Sequence, residues 1–243
     1  SARVAVELTS AYNREKEAQL VEDKLVFVLE SGVRLPIVLR GYSWDAQLMR
    51  GLRIQRDTTL SGDKPLVFYA PIIVEQGAQL TLAAGTTLYF HDNAGIDVLG
   101  SLLSQGRQGR EVILRGDRLD HMFNYLPYDR TAGRWQGIHF RASSYGNELT
   151  YTDIHSAYNG IVCDSSNVSS LKLNLSNCTV HNCQGYGVKS TDTWMQLNNC
   201  QLSNTLHDCL YVLGGRLEAN QCTLAQFYPF STQRGAAFHL SNS

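Results

Sequence analysis

The sequence predicts an all-β solenoid, a parallel β-helix of about seven coils with a small β-sheet or partial β-sandwich ahead of it. Two observations carry this reading. Cys178, Cys200 and Cys222 recur every 22 residues, inside the matching lines Leu173 to Asn182, Met195 to Asn204 and Leu217 to Gln226. The next column reads Val180, Leu202 and Leu224, and the column before reads Asn177, Asn199 and Gln221. A fainter copy, Leu149 to His155, is offset upstream by 26. A period in the low twenties is the mark of a solenoid. Within each line apolar and polar residues alternate, which is the period of a half-buried strand. A leucine-rich repeat shares this length, but its fixed leucine framework and helical return are not visible. Three short strands joined by turns fit 22 residues, and such coils stack ~4.8 Å apart. The three cysteines then stack inward, and the amide side chains before them stack at the turn and bond along the axis.

Residues 1–45 read as N-terminal β-strands. Arg3 to Leu8, Lys24 to Leu29 and Arg34 to Leu39 each alternate, and Glu30-Ser31-Gly32 marks a hairpin turn between the last two. Three strands make about half of a β-sandwich, or else a small sheet capping the helix. Ala11 to Gln19 reads as an exposed loop. Residues 46–65 are polar and Arg-rich and read as a connector. The solenoid is expected over 66–243, opening with Leu66 to Tyr69, Ile72 to Val74, Gln79 to Leu82 and Ala84 to Phe90, with glycine where the chain turns. A long insert at 116–134 breaks the rhythm and mixes aromatics with Asp/Arg pairs. Such a loop is either functional or packed over the flank with its charges paired to one another.

Composition narrows the function. The 243 residues carry a formal charge of −1, which points to neither nucleic acid nor an anionic membrane as partner. The 16 arginines outnumber the 5 lysines, and those at 50, 53, 56, 107, 110, 115 and 118 read as a solvated rim or as a stripe for polyanions. No run reaches the ~20 apolar residues of a membrane span. No signal peptide is visible in a chain opening Ser1-Ala2-Arg3, which is the expectation for a trimmed or mature fragment. Cys178, Cys200 and Cys222 occupy equivalent inward positions, so they read as small buried hydrophobes rather than disulfide partners. No CxxC pair suggests zinc. Cys163, Cys183 and Cys209 are left unassigned.

Gly77 to Asp92 and Gly100 to Gly106 resemble the opening coils of parallel β-helix surface proteins. Arg115 to Asp120, Leu126 to Arg130 and Trp135 to Ile138 resemble a group of uncharacterised lipoproteins of Bacteroides-type bacteria, and Val21 to Phe27 and Gly41 to Ala46 resemble the end of the sandwich that precedes the β-helix in that group. The resemblance covers nearly the whole chain and is most specific over 115–138. It implies a short β-sandwich followed by a right-handed parallel β-helix. It also implies an extracytoplasmic address, at the cell surface or outer membrane of a Gram-negative bacterium, with the membrane reached only through a lipid anchor. It implies no activity. The sequence departs from the pattern at Gln136, where glycine is expected, and in lacking the lipid-bearing N-terminal cysteine.

Two sets of residues are candidates for chemistry. In register, one outward column reads Asp153, Thr179, Gln201 and Thr223, and the next reads His155, His181, Ser203 and Ala225. Asp153, His155 and His181 therefore meet on two adjacent coils, as a metal or acid/base cluster or as a solvated strand face. No metal and no cofactor is assigned. The second set lies in the insert: Asp117, Asp120, Tyr125, Tyr128, Asp129 and Arg130, with a tyrosine as sugar platform. The expected function is a surface binding or structural module for a polysaccharide or another surface protein. The alternative is a polysaccharide lyase or glycoside hydrolase on the same scaffold. It needs carboxylates or a base converging in one groove, where a module needs only an aromatic or flat polar face.

Overall fold

The computed structural model describes residues 3–7, 14, 17–62 and 64–242. The chain divides into two compact units, Ser1–Ala46 and Gln47–Ser243. In the first, strands Gln19–Val28 and Arg34–Ser43 pair antiparallel over their full lengths. Gly32, at φ 80°, makes the turn. Leu20, Val28, Leu35 and Ile37 are exposed. Of the expected first strand, Arg3–Glu7 form none and Leu8 lies outside the described residues, as does most of the Ala11 to Gln19 loop.

The second unit is a parallel β-solenoid. Three parallel sheets of eight, seven and eight strands run along it, and every coil but the last adds one strand to each in turn. The first sheet holds Val112–Gly116, Thr152–His155, Thr179–Cys183, Gln201–Thr205 and Thr223–Ala225 in neighbouring rungs. Its register pairs Asp153 with Thr179 and Gln201 with Thr223, and His155 with His181 and Ser203 with Ala225 in the next column. These are the columns expected from the 22-residue offset and the 26-residue step upstream of it.

There are about eight coils, not seven. The stretch 46–65, expected to be a connector, supplies the first: Gln47–Met49, Leu52–Ile54 and Thr58–Leu60 each pair in parallel with a strand of the next coil. Each strand is three residues long, too short for alternation to show in the sequence, and Ile54 alone among them is fully buried.

Two turns repeat with a left-handed residue. Tyr151, Asn177, Asn199 and Gln221 sit at φ 42°, 56°, 52° and 53° before the first sheet, and Ser156, Asn182 and Asn204 at 58°, 53° and 55° after or late in its strands. Asparagine tolerates this region better than most residues, which is why it recurs. The amides also bond along the axis, Asn199 Nδ2 donating to Asn177 Oδ1 at 2.7 Å. Beside them the thiols of Cys178, Cys200 and Cys222 each reach a carbonyl of the coil before, on Leu149, Leu175 and Leu197. All six cysteines are free thiols.

Large side chains fill the centre. Phe68 stacks on Phe90 with centroids 5.7 Å apart, and Phe90 stacks on Trp135 at 4.5 Å. The rung pairing puts Gly116 where the next aromatic of this column would stand. A Cβ there would meet the Arg134 side chain at 2.5 Å. The column is completed instead by Trp135, the residue at which the chain returns from the insert. Besides buried Ser, Thr and Asn side chains, a lysine breaks the inward apolar pattern. The register shifts between Leu171 and Leu173, and this bulge turns Lys172 fully inside. Its Nζ donates to the carbonyls of Arg141 and Ser144 at 2.6 and 3.0 Å. Burial draws the Lys172 pKa down.

Candidate functional site

The insert is a small hairpin, His121–Phe123 against Leu126–Pro127, closed by a 3₁₀ turn at Tyr128–Arg130. Its charges are paired one by one. Asp117 meets His91 at 2.8 Å, Asp120 meets Arg118, and Asp129 meets Arg115 at 3.2 Å. The Arg118 hydrogen bonds hold the Asp120 carboxyl below the usual range. Tyr128 lies under the Arg118 guanidinium, 3.5 Å from its centroid, with Arg134 5.1 Å away. Arg130 is exposed. The six residues named from sequence therefore share one loop, but the three carboxylates each face a different base. Tyr128 and Asp129 brace the loop. Tyr125 projects from it, 81% exposed, with Phe123 stacked beside it at 5.6 Å and 13°.

The second candidate set does converge. Asp153 and His155 point outward from one rung and His181 from the next. His155 Nδ1 and His181 Nε2 both donate to Asp153 Oδ1, at 3.0 and 3.2 Å. The two imidazoles lie 5.0 Å apart at 24°. His155 is buried at 7% exposure, while the Asp153 side chain keeps 34%. Burial opposes ionisation of Asp153, but the hydrogen bonds from the two histidines outweigh it and hold the carboxyl well below the usual range. The backbone behind the cluster is tied to the insert's return: Trp135 Nε1 donates to the His155 carbonyl at 2.8 Å, and Gly116 N donates to Ser156 Oγ at 3.1 Å.

The same outer face continues as a polar strip. Thr179, Gln201 and Thr223, with Tyr151, Asn177, Asn199, Gln221 and Gln108, line an open groove of about 490 Å³. Sequence reasoning missed a further row on the other eight-stranded sheet, where Lys189, Tyr211 and His239 occupy one outward column. Tyr186 lies 5.3 Å from Tyr211, Tyr211 lies 4.9 Å from His239, and the Lys189 ammonium sits 5.1 Å from the Tyr186 ring. The signal was there: Lys189 plus the 22-residue offset lands on Tyr211.

Among the described residues, no helix is long and apolar enough to cross a membrane, which leaves β-barrel spans unaddressed. What the geometry establishes is an all-β parallel solenoid with one braced aromatic loop and one converging His-Asp cluster. Comparison with protein-family models, with curated proteins and with solved structures found no match.

Proposed function

We propose that this protein is a binding module of the bacterial cell surface whose ligand is a polysaccharide. The observation that carries the reading is the stacked Phe123–Tyr125 pair, exposed at 54% and 81% on a loop braced by its own ion pairs. Flat aromatic faces with few rotatable bonds bind at low entropic cost, and a rigid loop on a rigid scaffold presents them ready-made. Carboxylates that each face a separate base support binding over glycoside cleavage, since cleavage needs two carboxyl groups flanking one bond. The extracytoplasmic address, with a lipid anchor, is supported by the resemblance of residues 115–138 to Bacteroides-type lipoproteins.

The test is retention in affinity electrophoresis against uronic-acid and neutral polysaccharides, for the parent and for Phe123→Ala/Tyr125→Ala. The parent is expected to be retarded by at least one polymer and the double variant to be released. Tyr158→Ala, an exposed tyrosine elsewhere, is expected to behave as the parent. Unchanged retention in the folded double variant would remove the loop as the site. Release of unsaturated uronates, followed by ultraviolet absorbance, would replace the binding reading with a lyase.

A further inference from the structure

We infer that Asp153, His155 and His181 form a binding site for one divalent first-row transition ion of the zinc class. The inference is independent of the polysaccharide reading and rests on how three side chains meet. Two imidazole nitrogens aim at a single carboxylate oxygen, 3.0 and 3.2 Å away. All three ligand atoms lie within 4.8 Å of one another. An ion ~2.1 Å from each ligand spans edges of ~3.0 Å at a right angle and ~3.4 Å at the tetrahedral angle, so the two nitrogen–oxygen edges already have the spacing of a coordinated set. Imidazole and carboxylate together suit zinc, iron, cobalt and nickel better than calcium or magnesium, which prefer all-oxygen sites.

The rungs hold these ligands in place. Asp153 and Thr179, and His155 and His181, are partners on adjacent hydrogen-bonded strands. His155 is packed under the fold and lies flat against His181, so neither ring has to be recruited from solvent. Three protein ligands leave a position toward the open side of Asp153, the arrangement that admits a water or an exogenous ligand. The other described His-Asp contacts are single pairs: His91 with Asp117, His139 with Asp164 and His239 with Asp208. They offer two ligands each and serve as internal controls.

The experiment uses the full chain carrying Cys222→Ser, because Cys222 is the half-exposed thiol and an alternative ligand for soft metals. After treatment with a chelator and its removal, zinc is titrated by calorimetry and cobalt(II) by its visible spectrum. One equivalent is expected, with a cobalt spectrum free of thiolate charge-transfer bands. Asp153→Asn and His181→Ala are each expected to weaken zinc at least ~100-fold, since loss of even an outer-shell partner costs 10–100-fold. His139→Ala is expected to leave it unchanged. Asp153→Asn keeps the shape of the side chain, so it carries the test if His181→Ala fails to fold. No stoichiometric uptake by the parent, or equal affinity in folded Asp153→Asn, would overturn the site.

Discussion

Replacing Trp135 by Phe tests whether one side chain fastens the insert to the solenoid. Trp135 is fully buried, stacks on Phe90 at 4.5 Å, and donates Nε1–H to the His155 carbonyl at 2.8 Å. Phenylalanine keeps the stack but removes the donor and the second ring. The orphaned carbonyl costs about 1–3 kcal/mol. The space left by the lost ring adds about 1 kcal/mol, so about 2–4 kcal/mol is expected in all. For a chain of this size each kcal/mol lowers the melting temperature by about 2–4 °C, which puts the variant roughly 5–15 °C below the parent in a circular dichroism melt. Trp135→Ala, which also loses the stack, is expected to cost about 3–5 kcal/mol or more. A double-mutant cycle with Phe90→Leu should return a coupling of about 0.5–1.5 kcal/mol for the ring pair. If Trp135→Phe unfolds within ~0.5 kcal/mol of the parent, the hydrogen bond to His155 does not contribute as described.

Three further outcomes are expected. A thiol reagent should label Cys222 in the native protein and leave the other five cysteines untouched, since those five are buried and burial pushes Cys163 and Cys183 up to about 12. Denaturation without reductant should expose all six, and any that stays blocked refutes the free-thiol assignment. Asn199→Ala should cost about 2–3 kcal/mol, from the left-handed φ of 52° and the lost amide bond, and Asn199→Gly should recover the backbone part; equal losses in chemical denaturation would refute the division. Lys172→Met probes pH. Burial lowers the Lys172 pKa, so the unfolded chain holds this proton more tightly, and the penalty is full below the lowered value and relieved as pH rises toward the ordinary ~10.4. The stability of the parent relative to Lys172→Met should therefore rise with pH across that window, and a flat difference would refute the burial.

What could be read from the sequence was whatever repeats. The cysteine and amide columns follow from the 22-residue offset, the two outward columns of the first sheet from that offset and the 26-residue step upstream of it, and the rungs pair as both require. Asp153, His155 and His181 were found in the same way. Features set by neighbours rather than by period were not legible. The first coil is built from three-residue strands, in which alternation has no length to declare itself. Lys172 occupies a register shift, where a charged residue that reads as outward turns inward. In the insert, the sequence showed aromatics and carboxylates close together. Which base each carboxylate meets, and that Tyr128 is gripped while Tyr125 is presented, depend on side-chain packing across the loop.

The rung ladder makes the solenoid a one-dimensional zipper. Each strand bonds only to the strand one coil before and one coil after, so stability accumulates as a chain of nearest-neighbour terms. Such a chain opens where its weakest junction lies, and it transmits disturbance no further than the rungs that share it. His155 and His181 stand on opposite sides of one junction. Anything that grips both, whether a shared carboxylate oxygen or an ion, acts as a rivet across that seam. It stabilises by mass action the two coils it joins and leaves distant coils to open on their own terms. Amide exchange would record this as protection gained in a narrow band around Thr152–His155 and Thr179–Cys183, with the far rungs unmoved.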